Sequence, residues 1–350
     1  MNQDGSVGGI GVLAVDDTFA SDKKAAVGAI NGATLLSIVV PCFNEESAIA
    51  LTHAAICEAL SEIDIELELL FVDDGSSDST MGVLREISTQ DMRVKVLSLS
   101  RNFGHQIAVS AGLDHVSGDV IVVIDGDLQD PPSVIVDMLV LWREGYDVVY
   151  GKREARDGET RFKLVSAKYF YQLLNSLSDV SIPRDTGDFR LMDRRVVEAL
   201  KCMPERDRFL RGMVAWAGFS QIGIAYERQP RVAGTTKYPL SKMVSFAATG
   251  ILSFSSKPLR VATWFGLSIS FLAAMGVFYA VFMRIFTSTW VSGWTFLVVA
   301  VLLIGGIQLV FLGIIGEYIA RIYEENKRRP LYFVKEKHGE FLRRCDSCEE

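Results

Sequence analysis

The chain has 350 residues, with 36 lysines and arginines against 43 aspartates and glutamates, a formal net charge of -7. That balance excludes the broad basic face of a nucleic-acid-binding protein, and the length allows one large domain or two ordinary ones. Hydrophobic residues make up 49% and mean hydropathy is +0.24, so a soluble part joined to a membrane part is expected.

Residues 1–33 are rich in Gly, Ala, Asp and Ser. They lack the basic start and apolar core of a signal peptide and read as a disordered leader. Residues 34–230 read as one α/β domain. Residues 35–40 form a buried strand stopped by Pro41. Pro41-Cys42-Phe43-Asn44-Glu45-Glu46 then leads into a helix to about Ile63. Glu45 and Glu46 suit a helix start, where the macrodipole favours acids. The loop also lies at a strand's carboxyl end, where open α/β sheets bind ligands.

A second strand, 68–72, runs into Asp73-Asp74-Gly75-Ser76-Ser77-Asp78, and a helix over 79–89 follows, with Asp78 as its N-cap. Asp73 and Asp74 serve either the turn or a ligand; a carboxylate there can accept from a base N–H or a ribose hydroxyl. Residues 94–99 are a third strand. Arg101-Asn102-Phe103-Gly104-His105-Gln106 opens a helix to His115, in which His105 reads as a helix-start hydrogen-bonder.

The fourth strand, 120–124, is entirely valine and isoleucine and ends at Asp125-Gly126-Asp127-Leu128-Gln129-Asp130-Pro131-Pro132. Carboxylates at i and i+2 of an extended segment share a side. Asp125 and Asp127, with Gln129 as a third oxygen donor, can therefore converge on a hard cation, Mg²⁺ or Mn²⁺. The plain alternative is a polar turn. A helix over 132–144 and a fifth strand over 147–151 follow. Strands alternating with helices at this spacing predict a parallel, doubly wound sheet.

Next comes a basic stretch, Lys152, Arg153, Arg156, Arg161, Lys163 and Lys168, partly on a helix over 160–177. It reads either as solvated charge or as a pocket for a second anion. Residues 183–192 re-enter an extended segment, 205–212 open a helix, and 221–226 alternate as a strand. Residues 231–258 are a mobile basic loop, with Gly234 and Lys237, and an amphipathic helix over 241–254 suited to the bilayer interface or to the domain surface.

Two apolar stretches, 261–283 and 290–316, are each long enough to span about 30 Å of hydrocarbon, giving a transmembrane hairpin within 259–318. Lys257 and Arg260 before the first stretch, and Arg321, Lys327, Arg328 and Arg329 after the second, put both outer ends in the cytoplasm. Residues 319–350 are a cytoplasmic tail with one short extended stretch at 329–334. The cysteines Cys42, Cys57, Cys202, Cys345 and Cys348 have no framework spacing and read as reduced thiols.

Taken together, Pro41-Cys42-Phe43-Asn44-Glu45, Val72-Asp73-Asp74-Gly75-Ser76, Arg101-Asn102-Phe103-Gly104 and the 125–132 segment resemble the signature series of family 2 glycosyltransferases. The resemblance is to the polyprenyl-phosphate group, which includes bactoprenol glucosyltransferases and dolichol-phosphate mannose synthase. It implies a GT-A fold, Rossmann-like with a mostly parallel sheet. It implies that Pro41, Phe43, Glu45, Asp73, Asp74 and Asp125 serve the nucleotide, and that Asp125, Asp127 and Gln129 hold the metal. Arg153, with Arg161, Lys163 or Ser166, would bind the acceptor phosphate. Asp127, Asp188 and Arg190 would serve the reaction.

The implied activity is inverting transfer of one sugar, glucose by preference, from a UDP-linked donor to undecaprenyl phosphate at the inner-membrane face. Homo-oligomers through the membrane helices are also expected. A processive polysaccharide synthase and a non-catalytic sugar-nucleotide scaffold are the rival readings.

Overall fold

The computed structural model describes residues 11–13, 34–153, 186–228, 257–286 and 293–341. Two compact units divide the chain: Met1–Ala167 with Ser181–Tyr238 and Pro330–Glu350, and Lys168–Val180 with Pro239–Arg329. In chain order the first unit contains β1 (Gly11–Leu13), β2 (Leu35–Cys42), α1 (Ile49–Leu60), β3 (Glu66–Asp73), α2 (Thr80–Gln90), β4 (Val94–Leu99), α3 (His105–His115), β5 (Val120–Val123), α4 (Val134–Arg143), β6 (Val148–Arg153), β7 (Thr186–Asp193), α5 (Arg194–Lys201), α6 (Leu210–Ala217), β8 (Gln221–Tyr226) and β9 (Val334–His338).

The strands form one sheet in the order β1-β8-β6-β7-β5-β2-β3-β4-β9. Its central strands are mostly apolar because helices cover both faces. On β2, Leu36, Ile38 and Val40 join a core with Ile49 and Ile56 of α1, Leu84 of α2 and Met138 of α4. Val39 points the other way, onto α3. A Cβ on Gly112 of that helix would stand 2.3 Å from Val39 Cγ1, so α3 lies this close only because position 112 is glycine.

The topology then sets where ligands can enter. β2 sits between β3 and β5: the chain leaves it toward β3 and β4 on one side and returns to β5 on the other. Such a reversal opens a crevice at the strands' carboxyl ends.

Several expectations need correction. Pro41 lies inside β2, opposite Val72, rather than ending it. Three residues of the expected leader form β1, which needs only backbone groups to pair with β8. The sheet is mixed: β7 runs antiparallel to β5 and β6, and β9 antiparallel to β4. The late strand is Val334–His338, not 329–334; as an edge strand it tolerates the charged sequence VKEKH. Asp78 accepts from Thr80 N at 3.0 Å, although Ser79 is the capping position.

The second unit contains α7 (Lys257–Phe286) and α8 (Trp294–Asn326), whose Phe265 and Phe311 rings meet edge to face at 6.1 Å. Trp264, Phe278 and Leu309 are well exposed on them. Exposed apolar surface on this scale marks an interaction surface or a membrane. Among the described residues one segment, Leu303–Asn326, is long and apolar enough to cross a bilayer, and it reaches past the expected limit at 316. The expected 231–238 loop and 241–254 helix lie outside the described residues.

Candidate active site

The crevice has two halves. The first is built from the segments after β2, β3 and β4, which hold one another. Asn44 N donates to Ser76 Oγ (2.9 Å), and Ser77 N donates to Asn44 Oδ1 (2.8 Å). Glu45 N donates to Thr80 Oγ1 at 2.9 Å. Gly75 has φ +71°, and a Cβ there would meet the Arg101 carbonyl carbon at 2.5 Å, so the turn requires glycine.

Both aspartates of this half are spent largely on its architecture. Asp73 accepts from Ser76 N (3.0 Å) and Ser98 Oγ (2.9 Å). Asp74 accepts from Phe103 N (2.7 Å) and Gly104 N (2.9 Å), which fixes the 101–104 loop. Phe43 is exposed at the rim, beside buried Pro41. Burial pushes the Cys42 thiol well up, and the charges of Asp73, Glu45, Asp74 and Asp78 add to it. This half is therefore electronegative, which suits N–H and hydroxyl donors rather than phosphate.

The second half forms where β5, β7 and the first turns of α3 and α6 meet. Arg190 of β7 pairs with Val123 of β5. Because the strands run in opposite directions, Asp188 falls alongside Asp125. Asp188 is 7% exposed and accepts four hydrogen bonds: Arg211 Nε (2.9 Å) and Nη2 (3.2 Å), Gln106 Nε2 (2.9 Å) and His105 Nε2 (3.1 Å). Burial opposes ionisation, but His105 and Arg211 outweigh it and hold the Asp188 carboxyl well below the usual range. Burial lowers the Arg190 guanidinium to about 10, still cationic at neutral pH; its Nη2 donates to Gly187 O at 3.1 Å.

Asp125 differs from both aspartates of the first half. Its Oδ1 is buried and makes no hydrogen bond; His105 Nε2 stands 3.6 Å away. Burial raises its carboxyl to about 6, His105 pulling down while Asp188, Asp130 and Asp127 push up. A buried carboxylate oxygen without a hydrogen-bond donor suits a hard cation. Asp127, whose Oδ1 accepts from Gln129 N at 3.2 Å, and buried Gln129 add the further oxygens expected of the set. Asp130 is fully buried and accepts from Tyr226 Oη. A separate group, His53, Cys57 and Asp91, also has ligand atoms within 4.8 Å of one another. There Arg93 already supplies the cation, 2.7 Å from Asp91 Oδ2 and 3.4 Å from Cys57 Sγ.

Three contributors were not expected from the sequence: His105 beyond its helix-start role, Gln106 and Arg211. The signal for the first two was a polar pair opening an otherwise apolar helix directly after a strand's carboxyl end. Within the expected 205–212 helix start, Arg208 turns away to the carbonyls of Leu200, Met203 and Glu205. Of the expected acceptor residues, Arg153 ends β6, while Arg161, Lys163 and Ser166 lie outside the described residues.

The glycosyl transferase family 2 model matches residues 37–201. The uncharacterized glycosyltransferase YkcC of Bacillus subtilis is 49% identical over 303 residues, 87% of this chain and 94% of that protein. The SfII prophage-derived bactoprenol glucosyl transferase of Shigella flexneri is 42% identical over 306 residues, 87% and 98% of the two. Among solved structures, glucosyl-3-phosphoglycerate synthase from Mycobacterium tuberculosis in complex with Mn²⁺ and UDP-glucose aligns with a TM-score of 0.44 and 20% identity, covering 69% of this chain and 84% of that one. The identity to full-length glycosyltransferases, together with an acid-lined crevice at the reversal of a GT-A-like sheet, makes this chain a member of glycosyltransferase family 2.

Proposed function

We propose that this enzyme transfers a single glucose, with inversion, from UDP-glucose to undecaprenyl phosphate at the cytoplasmic face of the membrane. The observation that carries the reading is the end-to-end similarity to a bactoprenol glucosyl transferase, 98% of whose length is matched. The chemistry of the crevice supports it from below.

The electronegative half, with Pro41, Phe43, Glu45 and the Asp73–Asp74 turn, receives the base and ribose. Asp125, Asp127 and Gln129 would hold Mg²⁺ or Mn²⁺. When bound, such an ion neutralises charge on the departing diphosphate. The nucleophile is a phosphate monoester oxygen, already anionic at neutral pH, so no strong general base is required. Asp188 fits that requirement: its oxygens are occupied by four donors, and it holds Arg211 instead of taking a proton. Arg153, with Arg161, Lys163 or Ser166, binds the lipid phosphate, arginine suiting it by bidentate geometry.

Helices α7 and α8 form a two-span hairpin with both outer ends cytoplasmic, and copies associate through them.

Purified full-length protein incubated with radiolabelled nucleotide sugars, undecaprenyl phosphate and Mg²⁺ or Mn²⁺ tests the reading. Lipid-extractable label from UDP-glucose, one sugar per lipid, and loss of transfer in Asp127→Asn are expected. No labelled lipid from any donor, polymeric product, or full activity in Asp127→Asn would each overturn it.

A further inference from the structure

The four donors on Asp188 are not equivalent. Arg211 and Gln106 donate to Asp188, whereas the His105 ring stands between two carboxylates. Its Nε2 lies 3.1 Å from Asp188 Oδ2 and 3.6 Å from Asp125 Oδ1. That second oxygen is the buried one that makes no hydrogen bond. Asp188 lies on β7 and Asp125 just past the end of its antiparallel neighbour β5, and the two repel one another across the gap where the ring stands.

The backbone that carries the ring is well held. Gly104 O accepts from Ile107 N and Ala108 N at 3.0 Å, closing the first turn of α3. The preceding loop is pinned by Asp74, which accepts from Phe103 N and Gly104 N. Gln106 ties the same turn to α6 by accepting from Leu210 N at 3.1 Å. A rigid helix start thus places one N–H donor between the donor-side carboxylate and the acceptor-side anion.

We propose that His105 is a positioning residue: a strut between Asp188 and Asp125 that aims the free oxygen of Asp125 at the divalent cation and fixes the distance from that cation to Arg190 and Arg211. The inference rests on reading Asp125 as a cation ligand. It assigns the ring no proton transfer and no contact with substrate.

The test is Mn²⁺ binding to the purified full-length protein in the presence of UDP, read by the loss of the free-ion electron paramagnetic resonance signal. Removing a group that orients a metal ligand typically weakens metal affinity about 10–100-fold. His105→Ala should show a loss in that range. His105→Gln, whose amide N–H can replace Nε2, should recover to within about threefold of the native protein, well short of that loss. Gln106→Ala also strips a donor from Asp188 but does not approach Asp125, so its Mn²⁺ affinity should stay close to native. His105→Phe keeps the ring and removes both nitrogens; it should bind like His105→Ala and carries the test if the alanine variant does not fold. Native Mn²⁺ affinity in His105→Phe or His105→Ala, or an equal loss in Gln106→Ala, overturns the strut while leaving the cation reading intact. Native Mn²⁺ affinity in Asp127→Asn overturns the cation reading itself.

Discussion

Asp125 should cost the empty protein stability, and that cost should depend on pH. Burial raises its carboxyl from 3.8 to about 6 in the native state. Below pH 3.8 the group is neutral in both native and unfolded chains and contributes nothing. Between 3.8 and about 6 the native state keeps a proton that the unfolded chain has lost, so stability falls as pH rises. Above about pH 7 both states are ionised and the cost is complete. A rise of that size corresponds to about 3 kcal/mol. Solvent reaches 25% of the side chain, so about 2–3 kcal/mol is the working figure.

Asp125→Asn preserves the shape and removes the charge. In chelator, the variant should match the native protein near pH 4 and exceed it by about 2–3 kcal/mol at pH 8, roughly 4–12 °C in melting temperature for a domain of this size. Saturating Mn²⁺ with UDP should narrow the gap by stabilising only the native protein, and the variant should be inactive. Melting curves from pH 4 to 8, with and without Mn²⁺, decide it. A stability difference that is flat with pH, or a variant less stable at pH 8, would refute the buried-carboxylate argument.

Three further substitutions probe the framework. Asp74→Asn removes the charge that receives Phe103 N and Gly104 N; a loss of about 2–4 kcal/mol should appear in chemical unfolding, with weaker UDP binding by calorimetry. Arg211→Met leaves Asp188 buried without its bidentate cation. About 3–5 kcal/mol of stability and at least about 100-fold in turnover should be lost, measured by melting and by lipid-extractable label. Gly75→Ala forces a side chain onto a φ of +71° and against Arg101, so the melting temperature should fall by the equivalent of about 1–3 kcal/mol, with the 43–46 and 73–80 segments becoming sensitive to protease.

What could be read from the sequence follows from what each residue depends on. β2, β3, β4 and β5 were legible because strands covered on both faces carry runs of apolar residues, most completely in Val120–Val123. The acids after β5 were legible because carboxylates at i and i+2 of an extended segment share a side and can meet one cation. Asp73 and Asp74 were legible as a special turn, but their partners were not: Ser98 and the 103–104 backbone lie a strand away. His105 looked like local helix-start chemistry because its partners, Asp188 and Asp125, are 83 and 20 positions distant. β9 was hidden because an edge strand needs no hydrophobic code, and Arg85, which grips Glu336 at 2.7 Å, is remote in sequence.

The feature that departs furthest from the expected parallel sheet is also the one the active site requires. Had β7 run parallel to β5, its last residues would have reached the crevice and Asp188 and Arg190 would have lain deeper in the sheet. Because β7 is antiparallel, Asp193 is carried to the opposite end, beside Val120, where it accepts from Trp142 Nε1 and Arg195 N. Asp188 and Arg190, two residues apart and so on one face, are delivered to the carboxyl end of β5. The reversal sets a buried anion and a buried arginine beside the carboxylate that the parallel strand supplies.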